Sequence, residues 1–69
     1  MSLHIEIGDQ VTGITGLMSH IIAFVETIDP CVGGDDVLEI KITYATAPSD
    51  WCAGDVTYVY RSTMKRLVP

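Results

Sequence analysis

The first forty residues contain no lysine or arginine, and the whole 69-residue chain has only four against nine Asp and Glu. The formal net charge is −5. So few cations argue against a binder of phosphate backbones, and nucleic acid is not an expected partner. Long hydrophobic runs are missing too. The stretch from Val11 to Val25 is interrupted by Thr, Gly, Ser and His, so no membrane span is expected. The N-terminus, Met-Ser-Leu-His-Ile-Glu, lacks the basic flank and apolar core of a signal peptide. There are only two cysteines, Cys31 and Cys52. Without a secretory signal they are expected as free thiols in a reducing, cytoplasmic setting, although one disulfide between them stays open. Together with His4 and His20 they show none of the close pairing of a zinc site, and neither metal nor cofactor is expected.

Catalytic signatures are also absent. Cys31 or Cys52 with His20 and Asp50 would supply a nucleophile, a base and an orienting carboxylate, but no local motif joins them, and the chain is not expected to be an enzyme. Gly13-Ile14-Thr15-Gly16 has too few glycines and no lysine for a phosphate cradle and is expected as a hairpin turn. The acidic loop of Asp29, Asp35 and Asp36, with Glu26 and Glu39 at its ends, has its spacing broken by Pro30-Cys31-Val32 and does not match a calcium loop. The remaining acids of the first forty residues are Glu6 and Asp9. The basic residues Arg61, Lys65 and Arg66 cluster near the C-terminus, with Lys41 apart from them.

What is present reads as one small all-β domain spanning residues 1–69. Turn signals at Gly8-Asp9, Gly13 to Gly16, Asp29 to Asp36 and Ala47 to Asp55 cut the chain into strand-length pieces. Val37 to Thr46 alternates strictly, with Leu38, Ile40, Ile42 and Tyr44 on one face and Glu39, Lys41 and Thr43 on the other. Val56 to Arg61 alternates as well: Val56, Tyr58 and Tyr60 share one face, Thr57, Val59 and Arg61 the other. Leu38, Ile40, Ile42, Tyr44, Val56 and Tyr58 are the expected inward residues. Ser62 stands where a cap would, ahead of one 3-10 turn over Thr63 to Leu67. Gln10 to Ile14 is the expected first strand, with Leu3 to Ile7 leading into it. His20 to Ile28 is apolar on both faces of a strand; Leu17, Ile21, Val25 and Ile28 also fit a helical stripe, and the β-branched content favours the strand.

This order of pieces resembles a small Src-homology-3-like (SH3-like) barrel. Ile7-Gly8-Asp9-Gln10-Val11 resembles the opening of KOW-type and phage-encoded barrels, in which a Gly-Asp turn starts the first strand. Val25-Glu26-Thr27-Ile28 and Leu38 to Thr43 look like the second and third strands. Tyr58 to Leu67 looks like the final strand, the 3-10 turn and the closing apolar residue. The resemblance implies a binding module with no catalytic residues, of the kind encoded by phages or mobile elements. Its KOW branch implies an alternative, nucleic-acid association through Arg61, Lys65 and Arg66. An acidic mimic of nucleic acid built on residues 1–40 is a third reading.

Burial and ordering nearly cancel in so short a chain. About 4,000 Å² of apolar surface at ~25 cal/mol/Å² is worth ~100 kcal/mol, and ordering 69 residues at ~1.5 kcal/mol each costs about the same. With 48% hydrophobic residues, a partner chain is the expected supplement, and a homo-oligomer is expected. The two-faced apolar strand places Ile21, Ala23 and Val25 at its interface. Trp51, Tyr44, Tyr58 and Tyr60 are the expected contacts to a protein partner, Trp51 because it stands in the polar Pro48-Ser49-Asp50 loop.

Overall fold

The computed structural model describes residues 4–30 and 33–67. Five strands form one antiparallel sheet: β1 (Gln10–Gly13), β2 (Ile21–Asp29), β3 (Val37–Ala45), β4 (Val56–Tyr60) and β5 (Met64–Arg66), in the spatial order β4-β3-β2-β1-β5. Two 3-10 turns, Gly16–His20 and Arg61–Thr63, precede β2 and β5. The expected all-β class, about five strands with a short 3-10 turn near the C-terminus, is the observed one. The barrel is not closed: β4 and β5 follow each other in the chain but form opposite edges of the sheet.

The long β2–β3 ladder carries the core. Its register slips twice. Ala23 pairs with Ile42 and Ile22 with Tyr44, so Thr43 is an extra residue on β3. Val25 pairs with Ile40 and Thr27 with Glu39, so Glu26 is an extra residue on β2. Each bulge reverses the alternation of the strand that carries the extra residue, because strand side chains alternate, while the partner strand keeps its phase. Between the bulges Ala23, Val25, Ile40 and Ile42 point inward and are buried, joined by Leu38, Ile21, Val11, Ile5 and Met64. Beyond the Thr43 bulge Tyr44 lies beside Ile22 on the outer face and is exposed, which corrects its inward assignment.

Strand β4 is corrected in the same way. Val59 sits opposite Leu38 and Thr57 opposite Ile40. Opposed residues share a face, so Thr57 and Val59 turn inward, while Val56, Tyr58 and Tyr60 are exposed. The C-terminal 3-10 turn comes earlier than expected, at Arg61–Thr63, and Met64–Arg66 then pairs with β1 through Gly13 opposite Met64 and Val11 opposite Arg66. Ile21, Ala23 and Val25 are core residues and not an interface: β2 lies between β1 and β3, and all three are no more than 2% exposed. Residue Leu3 of the expected lead-in lies outside the described residues.

Gly13 marks a close approach. A Cβ there would stand 2.6 Å from the Met18 carbonyl carbon and 2.7 Å from its oxygen, because the first 3-10 turn folds directly over β1. Gly13→Ala is therefore expected to destabilise the domain by about 1–3 kcal/mol through overpacking against backbone. A urea midpoint equal to that of the unsubstituted chain would contradict this packing.

Candidate functional site

The outer face of β2, β3 and β4 is built in rows set by the register. Phe24, Lys41 and Val56 form one row; Thr27, Glu39 and Tyr58 the next; Asp29, Val37 and Tyr60 the third. In the middle row Glu39 accepts two bonds, from the Thr27 hydroxyl at 3.1 Å and from the Tyr58 hydroxyl at 3.4 Å. Glu39 thus tethers Tyr58 across the sheet. Tyr58 is nevertheless 64% exposed, Tyr44 58% and Tyr60 54%, and Phe24 and Val56 are exposed beside them. A shallow hollow of about 190 Å³ lies between Val37, Tyr58, Val59 and Tyr60. The structure therefore brings together two of the three tyrosines singled out in the sequence, Tyr58 and Tyr60, and adds Phe24 and Val56 to them; Tyr44, opposite Ile22, lies at the far end of β3 on the same face.

Trp51 is placed elsewhere. It is half-buried and packs against the core cluster, which corrects its assignment as a protruding contact. The β3–β4 loop is folded back by its own polar groups. The Ser49 N–H donates to the Thr46 carbonyl at 3.0 Å, and the Trp51 N–H to the Ser49 hydroxyl at 3.2 Å. The Cys52 N–H donates to the Asp55 carboxylate at 2.9 Å. The polar residues that made the loop look solvated are the ones that tuck the indole inward. The Cys52 thiol is free and exposed; Cys31 lies outside the described residues.

The basic cluster is largely engaged by carboxylates. Arg61 Nε stands 3.3 Å from the Asp36 carboxylate, and its backbone N–H donates to the Asp36 carbonyl at 2.8 Å. Arg66 stands 4.0 Å from the Asp9 carboxylate. Asp35 accepts from the Ser62 hydroxyl at 2.6 Å and from the Ser62 N–H at 3.0 Å. Ser62 is thus held by the acidic loop and does not cap a helix. Arg61, Ser62 and Lys65 line a groove of about 410 Å³ with Gly33, Gly34 and Met64, and Asp35 lies in the same groove.

His20 lines a separate hollow of about 290 Å³ with Thr12, Ser19, Ile21, Tyr44 and Thr46; neither Cys52 nor Asp50 is among its walls. Among the described residues no cluster of His, Cys, Asp and Glu is arranged to hold a metal, and no helix is long and apolar enough to cross a membrane. No family model matches the chain, and no curated protein and no solved structure is significantly similar to it.

Two outcomes follow from the loops. Trp51→Ala is expected to cost about 3 kcal/mol, because a half-buried indole leaves a gap over the core. The emission of the native chain is expected to be blue-shifted from that of indole in water; a maximum at the free-indole position would show that the loop does not pack. The second outcome concerns Asp35. The Ser62 hydroxyl bond, then the Ser62 backbone bond, and more weakly the charge of Arg61 hold its pKa below the ordinary 3.8. A folded-state pKa below the unfolded one means that the ionised form stabilises the fold. That contribution is complete above the ordinary value and disappears as pH falls through the lowered one. Asp35→Asn is expected to flatten the acid limb of a melting-temperature profile below about pH 4. An unchanged limb would show that this clamp does not titrate with folding.

Proposed function

We propose that the chain is a non-catalytic interaction module that binds other protein chains through the outer face of β2, β3 and β4. The observation that carries this reading is the co-location of Tyr58, Tyr60, Phe24 and Val56 in the open on one face, beside the unpaired edge of β4, with Tyr44 exposed farther along the same face. Exposed apolar patches rimmed by polar residues mark interaction sites, and tyrosine is favoured there because a large contact area is fixed by few rotors. An open edge adds a second means of recognition, main-chain hydrogen bonding to an extended segment. A phage or mobile-element origin and a cytoplasmic setting accompany this reading on the strength of the sequence resemblance. Nucleic-acid association of the KOW type is the weaker reading, since Asp36 and Asp9 stand against two of its three cations.

A random extended-peptide library selected on the immobilised domain tests the proposal. The selected peptides are expected to be β-prone and to bind at micromolar concentration. They are expected to shift the amide resonances of Tyr58 and Tyr60 while leaving those lining the Arg61–Lys65 groove in place. Binders that map to that groove, or a library that yields none, would overturn it.

A further inference from the structure

The two edges of the sheet are unlike. Strand β5 has three residues and exposes Lys65 and Arg66, the charge and brevity that keep an edge from pairing. Strand β4, Val56-Thr57-Tyr58-Val59-Tyr60, has no charge, no proline and no bulge. The phase of its hydrogen bonds is fixed at both ends. The Arg61 N–H donates to the Asp36 carbonyl and the Ile42 N–H to the Asp55 carbonyl, each at 2.8 Å. Bonded and non-bonded levels alternate in an antiparallel ladder. Leu38 with Val59 and Ile40 with Thr57 are therefore the bonded levels between these ends. The N–H and C=O groups of Val56, Tyr58 and Tyr60 are directed away from β3, toward the side where the sheet has no further strand.

We infer that β4 pairs antiparallel with β4 of a second copy, with Tyr58 on the two-fold axis, joining two five-stranded sheets into one. This rests on the binding-module reading and names its partner. The register is self-complementary. With Tyr58 opposite Tyr58, Val56 falls opposite Tyr60 and Tyr60 opposite Val56. Each of these levels is outward in both copies; the Tyr60 carbonyl already accepts from the Thr63 hydroxyl at 2.7 Å, so about four backbone hydrogen bonds form together, two between the Tyr58 residues and two from Tyr60 N–H to the Val56 carbonyl. A slip of one residue sets outward groups against inward ones and loses them.

Charge selects the same register. The chain as a whole is at −5 and repels its copies, but the strand itself is neutral. Asp55 precedes it and Arg61 follows it, so the two-fold brings Asp55 of one copy level with Arg61 of the other. Two tyrosines meet at the axis, a favourable cross-strand pair. A two-fold contact uses up both β4 edges and leaves only the charged β5 edges, so assembly stops at the dimer. A five-residue pairing is small against the ~1,200 Å² of a stable interface, which sets the association in the micromolar range.

Sedimentation velocity across micromolar to millimolar concentrations is expected to show the 7.5 kDa chain passing to about twice that mass. Tyr58→Lys and Tyr58→Glu each place like charges at the axis. Each is expected to weaken the dimer at least tenfold while retaining its circular dichroism, and an equimolar mixture of the two is expected to restore it. Should the variants fail to fold, hydrogen exchange on the native chain decides. Amide protection at Val56, Tyr58 and Tyr60 is expected to rise at least tenfold with concentration, because these groups have no strand partner in the single copy. A chain that stays at 7.5 kDa up to millimolar concentration overturns the inference, and peptide binding at Tyr58 would then still leave the module reading in place. A dimer indifferent to both substitutions, or one whose three amides stay unprotected, overturns the assignment to β4.

Discussion

The pairing of β2 with β3, two nine-residue strands held in a register that slips twice, is the constraint on which the rest of the molecule depends. A regular ladder between them would keep Tyr44 on the side of Ile42 and Thr27 on the side of Val25. The extra residues Thr43 and Glu26 reverse the faces beyond them, so the inner side keeps aliphatic residues and the outer side receives Tyr44 at one end and the Thr27–Glu39–Tyr58 row at the other. Bulges also increase local twist. Twisted and bent, the two long strands curl the sheet over its own small core, and β1 and β5 can cover from one side what β4 covers from the other.

So small a core tolerates little slack, and the loops supply part of its cover. Trp51 folds in from the β3–β4 loop, Met18 from the first 3-10 turn, and Ile5 from the segment before β1. Polar groups hold these covers in place. Asp9 accepts from the Glu6 N–H at 2.9 Å and shapes the turn before β1, while the Gly8 N–H donates to the Val25 carbonyl and fastens that turn to β2. The Thr12 hydroxyl, buried, donates to the Ile21 carbonyl at 2.7 Å, so the one buried polar side chain among the described residues is satisfied. Asp35 and Asp36 fix the β4–β5 turn from across the sheet. The acids that make this chain resemble an electrostatic decoy are in several places structural acceptors.

How much of this was legible in the sequence depended on whether a feature is local. The alternation of Val37 to Thr46 is local, and the strand stands where the pattern placed it. The inward direction of β4 is not local: tyrosines alternate with Val59, both sets are apolar, and only the opposition of Val59 to Leu38 decides. Tyr44 followed the alternation perfectly and still faces outward, because a bulge is a property of two strands and no single strand records it. Ile21, Ala23 and Val25 looked like an interface because β2 is apolar on both sides. Their burial comes from β1 and β3 on either side, and the outer residues of the same strand, Ile22 and Phe24, are the ones left accessible. The Asp35–Ser62 clamp joins residues 27 positions apart, beyond any spacing rule. Trp51 was misplaced by its polar neighbours, whose hydrogen bonds fold the loop instead of solvating it.

The distribution of charge over the sheet completes the argument. Negative charge is spread over the turns and over β2 and β3, where Glu26, Asp29 and Glu39 lie, and it discourages indiscriminate contact between copies. Two of the four cations, Lys65 and Arg66, lie on one edge, where they block strand addition to β5. Strand β4 carries no charge, and its N–H groups at Val56, Tyr58 and Tyr60 have no strand partner. A neutral, β-branched and aromatic edge is a hazard when left in solution, and its neutrality costs the fold nothing that a lysine on the exposed face would not equally supply. Tyr58 is held to Glu39 and thereby oriented, which narrows the conformations it would lose on contact. In the proposed dimer, specificity would come from confining contact to one short uncharged segment of an otherwise acidic chain. In β4 the hydrogen-bond phase, the side-chain face and the absence of charge coincide on Val56, Tyr58 and Tyr60.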